Sequence, residues 1–143
     1  MYFSSTNSKK DNLTLLFNFM KLRIKGNSIR FRLSKADVTK FVESKSIEEY
    51  TSFTGNKLIY KIESATMAEK IEASFNGSTI QITIPSQIAD RWTGSQEVGI
   101  YHDDNLGNGK SLKVIIEKDF KCLDETNEDQ TDNYENPLAS KSK

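Results

Sequence analysis

The stretch Lys21–Leu33, Lys-Leu-Arg-Ile-Lys-Gly-Asn-Ser-Ile-Arg-Phe-Arg-Leu, decides the fold, because polar and apolar residues alternate on both sides of Gly26-Asn27. This pattern predicts two strands joined by a two-residue turn. Successive side chains of a strand point to opposite faces, so the hairpin has one apolar face and one basic face. The apolar face carries Leu22, Ile24, Ile29, Phe31 and Leu33. The basic face carries Lys21, Arg23, Lys25, Arg30 and Arg32.

Like charges oppose each other on this basic face. Pairing across the turn sets Arg23 opposite Arg30 and Lys21 opposite Arg32. Each such pair costs roughly a few tenths to 1 kcal/mol. A solvent-exposed face would tolerate this free-energy cost, whereas a bound anion or acidic segment would offset it. We therefore take the basic face as the candidate binding surface.

Length and composition bound the class of protein. A chain of 143 residues is long enough for one domain with a real core. Its 20 basic and 20 acidic residues balance, so the overall charge favours neither nucleic acid nor a membrane as partner. The single cysteine, Cys122, excludes an internal disulfide framework and fits a reducing cytoplasm. No apolar run reaches the length of a membrane span, so we expect a cytoplasmic protein without a membrane partner.

The remaining pattern predicts a small mixed fold. A capping box that begins at Ser34 indicates a helix over 35–43, and a second short helix is predicted over 86–92. Alternating stretches predict three further hairpins, one turning at Asn76-Gly77 and the last with a loop over 102–110. The predicted class is α+β: an antiparallel, strongly twisted sheet or partly open barrel of about eight strands in sequential hairpins, with two short helices.

Three segments are expected along the chain. Residues 1–19 are predicted to be disordered or an upstream extension, with Met20 as the natural start; the alternative is an N-terminal arm that packs through its apolar residues. Residues 20–137 are predicted to form a single α+β domain that includes an acidic C-terminal segment. Residues 138–143 are predicted to be a disordered tail.

The acidic segment complements the basic face. Asp119–Glu135 contains seven acidic residues and one lysine. Arginine binds carboxylates in a bidentate fashion, so this segment is predicted to fold back over the hairpin. The candidate acidic contacts are Asp124, Glu128, Asp129 and Asp132. The candidate anchors are Phe120, Cys122, Leu123 and Tyr134.

No catalytic or metal-binding set is evident in the sequence. Zinc would require several Cys or His ligands, but the chain has only Cys122 and His102. The acidic stretch lacks the central glycine of a calcium loop, and an acidic neighbourhood disfavours a reactive thiolate. The glycine-rich 107–110 is followed by a strand, so it lacks the helix dipole of a phosphate loop. We therefore expect no cofactor, no metal and no enzymatic activity.

Several blocks together resemble a small bacterial family of unknown function. They are Met20–Leu33, Val98-Gly99, 117–123, 128–134 and Asn136-Pro137. Members of that family typically begin at the Met-Lys-Leu-Arg-Ile block. The resemblance implies that the acidic segment belongs to the domain, and it implies no activity.

These observations predict a non-enzymatic binding or interaction module of a bacterial cytoplasmic protein. Its predicted partners are another protein and, within the chain, the acidic segment on the basic hairpin. The alternative is a domain that binds a small anion or metabolite on the basic face. Nucleic acid is disfavoured, because the hairpin carries no aromatic residue on that face for base stacking.

Overall fold

The computed structural model of the protein describes residues 20–119, which form eight strands and two helices. Among these residues, neither helix is long and apolar enough to cross a membrane. The elements are β1 (Lys21–Lys25), β2 (Ser28–Leu33), α1 (Lys35–Ser44), β3 (Ser46–Phe53), β4 (Asn56–Ala65), β5 (Glu72–Asn76), β6 (Thr79–Pro85), α2 (Ser86–Thr93), β7 (Gly99–Gly107) and β8 (Lys110–Lys118). The predicted segments 1–19 and 138–143 lie outside the described residues.

The strands form two four-stranded sheets. Sheet A has the order β1-β2-β8-β7 and sheet B the order β3-β4-β6-β5. Each sheet joins two antiparallel hairpins through a central parallel pair, β2 with β8 and β4 with β6. The predicted α+β class, strand number and helix number are confirmed. The prediction of one antiparallel sheet or a partly open barrel is wrong, because local alternation reports pairing within a hairpin and not the long-range pairing between hairpins.

The two halves of the described domain have the same element order. Residues 21–65 and 72–118 each run strand, strand, helix, strand, strand. The halves exchange hairpins, since sheet A takes the first hairpin of one half and the second hairpin of the other. The four hairpin turns consequently lie at one end of the domain, called here the turn end. Both helices, Met20 and Asp119 lie at the opposite end, called here the helix end.

The core lies between the sheets and is closed at the helix end by the two helices. Phe31 and Ile116 of sheet A and Ile62 and Ile82 of sheet B are fully buried. Burying one such side chain stabilises the fold by about 1.5–3 kcal/mol. On the apolar face of the Lys21–Leu33 hairpin, Ile29, Phe31 and Leu33 are buried as predicted and Leu22 packs against the core, whereas Ile24 remains exposed.

The two helices begin differently. The predicted capping box of α1 is present: the Ser34 hydroxyl accepts a hydrogen bond from the Asp37 N–H at 3.1 Å, and the Asp37 carboxylate accepts one from the Ser34 N–H at 2.9 Å. Helix α2 starts after Pro85 without a side-chain cap. Its Trp92 is buried, and the indole N–H donates to the Val98 carbonyl at 3.2 Å.

Two local predictions are corrected. Asn76 pairs with Thr79, so the third hairpin turns at Gly77-Ser78 and not at Asn76-Gly77. Most of the predicted loop over 102–110 is strand, because β7 extends to Gly107 along β8. The polar composition of this stretch predicts a loop, but pairing with β8 stabilises it as a strand. Tertiary contacts commonly override β-propensity in this way.

Candidate functional site

The five basic residues predicted for the hairpin lie together on the outer surface of sheet A, called here the basic face. The register sets Lys21 opposite Arg32 and Arg23 opposite Arg30, as predicted. The alternate positions Ile29 and Phe31 are buried. Their neighbours therefore point outward, and the like-charged pairs lie side by side.

Strand β8 places one carboxylate between two of these arginines. Glu117 Oε1 lies 3.7 Å from Arg30 Nε and 3.9 Å from Arg32 Nε. These are ion pairs too long to be hydrogen bonds, and surface pairs of this kind contribute about 0–1 kcal/mol. Glu117 therefore reduces the repulsion on the basic face without neutralising it. Sequence reasoning missed Glu117 as a partner because the parallel β2–β8 pairing is long-range; its outward place in the alternation of β8 was the available signal.

The chain leaves sheet A on the basic face. Asp119 Oδ2 lies 3.0 Å from Lys21 Nζ. The Asp119 N–H also donates to the Leu33 carbonyl at 2.7 Å, which fixes the backbone there. Asp119 is the first acidic residue of the predicted acidic segment, and it already contacts the face. The remaining candidates, Phe120, Cys122, Leu123, Asp124, Glu128, Asp129, Asp132 and Tyr134, lie outside the described residues.

An aromatic side chain adjoins the basic face. Tyr101 of β7 is 60% exposed, and its hydroxyl donates to Glu117 Oε2 at 2.9 Å. Burial of the hydroxyl and its hydrogen bond to Glu117 raise the pKa of Tyr101. The absence of an aromatic residue therefore holds for the hairpin but not for the whole sheet. Sequence reasoning missed Tyr101 because it ended this strand at residue 101 and did not place the last hairpin beside the Lys21–Leu33 hairpin.

Gly99 makes room for this Tyr101–Glu117 contact. A Cβ atom at Gly99 would lie 2.7 Å from the Ile116 carbonyl oxygen and 2.9 Å from the Tyr101 hydroxyl. Both distances are too short for a real contact, so any side chain at this position would displace its neighbours.

The basic face retains unneutralised charge. Among residues 20–119, Arg23 and Lys25 have no carboxylate within the 4.0 Å of an ion pair. A shallow cavity of about 330 Å³ is lined by Lys21, Leu22, Arg23, Arg30 and Arg32. Guanidinium groups bind carboxylates and phosphates in planar, bidentate geometry. The arrangement can therefore bind an anion or a carboxylate-bearing peptide.

Sheet B carries a version of the same arrangement without the arginines. Glu63 pairs with Thr83 across β4 and β6, as Glu117 pairs with Arg32 across β8 and β2. Gln81 Nε2 donates to Glu63 Oε1 at 3.0 Å, where sheet A has a guanidinium. The equivalent residues are Gln81 for Arg30, Thr83 for Arg32, Ser74 for Arg23 and Glu72 for Lys21.

A second group of titratable residues lies where α1 meets β3 and β4. Burial raises the pKa values of Asp37, Glu49 and Tyr60, and the neighbouring negative charges add to the effect. Asp37 serves the capping box, and the Tyr60 hydroxyl donates to the Met20 carbonyl at 3.3 Å. These contacts hold elements together, and we assign the group a structural role.

The sole histidine lies in strand β7 and not in a loop. His102 alternates with Tyr101 and so points away from the basic face. Its Nε2 is buried without a hydrogen-bond partner and lies 3.7 Å from Asp104 Oδ1. Within residues 20–119, no three His, Cys, Asp or Glu side chains converge as a metal site.

The described residues thus define a class: an α+β domain of two mixed four-stranded sheets with a basic outer face on one of them. Residues 20–138 match DUF7009, a family of unknown function, and the chain belongs to this family. The predicted resemblance to an uncharacterised family is confirmed. The match extends past the described residues and covers the whole of the acidic segment. No curated protein and no solved structure matches the chain.

Proposed function

We propose that the protein is a non-enzymatic interaction module of the bacterial cytoplasm, and that its basic face binds acidic polypeptide segments. In the resting chain the bound segment is its own acidic C-terminal segment, and an acidic segment of a partner protein competes for the same surface. The single cysteine supports the cytoplasmic setting.

The contact between Asp119 and Lys21 carries this proposal. The acidic segment begins at a residue whose carboxylate lies 3.0 Å from a lysine of the basic face. Its following residues therefore start at the surface that they complement in charge. The effective concentration of a tethered segment is high, so weak individual contacts suffice.

Sheet B supports the assignment by comparison. Glu63 accepts a hydrogen bond from Gln81 at the position where Glu117 contacts Arg30. The fold therefore accommodates an uncharged residue at this place. We infer that the arginines of sheet A serve binding, because the equivalent strand of sheet B does not need them.

Deletion of Asp124–Lys143 tests the intramolecular contact. We expect the melting temperature to fall by about 5 °C or more at low ionic strength, because several ion pairs of up to about 1 kcal/mol each are lost. The fall should shrink in high salt, since salt screens exposed charges. An unchanged melting temperature would contradict the contact.

A pair of double variants provides the matched control. Arg30→Gln with Arg32→Thr installs the residues of sheet B on the basic face. Lys57→Gln with Lys61→Thr makes the same charge change on the outer face of sheet B. The deletion should lose its effect on melting temperature in the first background and keep it in the second.

A defined acidic polypeptide tests the exposed face. Poly-glutamate should bind the chain lacking Asp124–Lys143 at least several-fold more tightly than the full chain, since the deletion removes the internal competitor. Arg30→Gln with Arg32→Thr should abolish that gain. Equal binding by the full and shortened chains would contradict competition.

The cavity on the basic face supports a second candidate, a small-anion site. Its lining includes Arg23, Arg30 and Arg32, which could converge on one phosphate or carboxylate group. A thermal-shift screen with inorganic phosphate, nucleotides and acidic metabolites tests this reading. Stabilisation by one of these compounds that is lost in Arg30→Ala would favour it over peptide binding.

A further inference from the structure

An apolar groove opens between the two sheets at the turn end. It has a volume of about 550 Å³, within the range of sites that bind small molecules or peptide side chains. None of its lining residues is charged. Its apolar lining includes Ile24, Leu58, Phe75, Ile80, Leu106 and Leu112.

The mouth of this groove exposes large apolar side chains. Phe75 is 67% exposed, Ile24 is 59% exposed and Leu106 is 52% exposed. Single exposed apolar residues are ordinary, but three around one apolar opening form a patch that typically marks an interaction site. Ile29 and Ile82 also line the groove and are buried, so an occupant would extend the hydrophobic core.

We propose that the groove binds the apolar end of the chain's own acidic segment, Tyr134 with Pro137 and Leu138. This inference rests on the proposed function, because the acidic residues between Asp119 and Tyr134 must first cross the basic face. The basic face and the groove then form one continuous binding surface, with charge contacts followed by an apolar anchor.

The length of the segment permits this path. Leu112 lines the groove and precedes Asp119 by seven residues of β8, which corresponds to about 23 Å along the strand. Tyr134 follows Asp119 by fifteen residues, which can span up to about 50 Å when extended. The segment can therefore traverse sheet A from the helix end to the turn end and still pass over the β1–β2 turn.

The order of charges along the segment matches the order of surfaces along the path. The acidic residues Asp124–Asp132 come first, where the path crosses the basic face. The uncharged Tyr134, Pro137 and Leu138 come later, where the path reaches an uncharged groove. Lys25 immediately precedes the β1–β2 turn, whose Gly26 and Asn27 line the groove, and Glu135 directly follows the proposed anchor Tyr134 in the sequence. The family match also ends at residue 138, so it includes the whole of this path.

Methyl and aromatic NMR of the full chain tests the proposal. We expect nuclear Overhauser contacts from the Tyr134 ring or Leu138 methyls to the methyls of Ile24, Leu106 or Leu112. Tyr134→Ala with Leu138→Ser should remove them and shift the groove methyl resonances. Ala139→Ser, one residue past the proposed anchor, is the control and should leave them in place. Groove resonances that are identical in the full chain and in the chain lacking Asp124–Lys143 would overturn the proposal.

The outcomes separate this inference from the proposed function. If the deletion lowers the melting temperature but no groove contacts appear, the groove assignment fails and the basic face stands. If groove contacts persist in Arg30→Gln with Arg32→Thr, the anchor is supported and the role of the basic face is contradicted. Groove resonances that shift only with protein concentration would show a second copy as the occupant and overturn the proposal.

Discussion

The outer faces of sheets A and B present the same backbone plan with opposite electrostatics. Each sheet joins two hairpins through a parallel pair and places a glutamate, Glu117 or Glu63, at the same register position. Sheet A surrounds that glutamate with arginines, whereas sheet B surrounds it with glutamine, threonine and one lysine. The difference teaches that the scaffold does not require the arginines. This is why we propose that their charge serves binding.

The charge balance of the two faces makes the contrast quantitative. The outer face of sheet A, counted with Asp119, has six basic and three acidic side chains: Lys21, Arg23, Lys25, Arg30, Arg32 and Lys113 against Asp103, Glu117 and Asp119. The outer face of sheet B has two basic and three acidic side chains: Lys57 and Lys61 against Glu48, Glu63 and Glu72. The outer face of sheet A is therefore net positive and that of sheet B net negative.

The largest expected effect tests whether the two halves form one cooperative unit despite this contrast. Phe41 of α1 and Trp92 of α2 are both buried, and each lies eight residues after the last core residue of its preceding strand. Replacing either by alanine should lower the free energy of unfolding by about 3–5 kcal/mol. Trp92→Ala should cost more, because the Val98 carbonyl also loses its donor.

Urea unfolding followed by circular dichroism measures this prediction. Because the halves exchange hairpins, both variants should unfold in one transition. Ala89→Gly, a small change at another buried position of α2, serves as a milder reference. Two separate transitions in either variant would show that the halves fold independently.

A medium effect tests the glycine that distinguishes β7 from β3. Gly99 lies opposite Glu117, as Ser46 lies opposite Glu63. Gly99→Ala should destabilise the fold by about 1–3 kcal/mol, because the new Cβ would meet the Ile116 carbonyl and the Tyr101 hydroxyl. Ser46→Ala is the matched control and should stay within about 0.5 kcal/mol. Equal stability of the two variants would mean that sheet A absorbs a side chain there as easily as sheet B.

The sequence predicted those features that adjacent residues encode. The register of the Lys21–Leu33 hairpin, the capping box at Ser34 and both helices are present as predicted. The split into two sheets and the parallel pairs were not predicted, because local alternation does not report pairing between hairpins, and β2 and β8 pair across more than 80 residues. The Tyr101–Glu117 contact lies within the predicted last hairpin, but the predicted loop over 102–110 hid the register that brings these two residues together. The basic side of the site was therefore predictable from the hairpin alone. The positions of Glu117 and Tyr101 beside it could be predicted only from the pairing of the two hairpins of sheet A.

The smallest expected effect sharpens the contrast between the helix starts, since α1 has an ionisable cap residue and α2 has none. Burial raises the pKa of Asp37 above its usual value of about 3.9. The folded state then binds protons more tightly than the unfolded state at this group, so the contribution of Asp37 to stability is greatest below that usual value and is lost as pH rises through the raised pKa.

Asp37→Asn keeps an oxygen that can accept a hydrogen bond from the Ser34 N–H, but its side chain cannot titrate. We expect the stability of the wild type relative to Asp37→Asn to fall as the pH is raised from about 4 towards neutral, by less than about 1 kcal/mol, the scale of one capping interaction. Chemical denaturation across that range measures the difference, with the exposed Asp90→Asn of α2 as the matched control. A relative stability that rises with pH would instead identify Asp37 as a carboxylate stabilised in its charged form, with the capping hydrogen bonds outweighing burial.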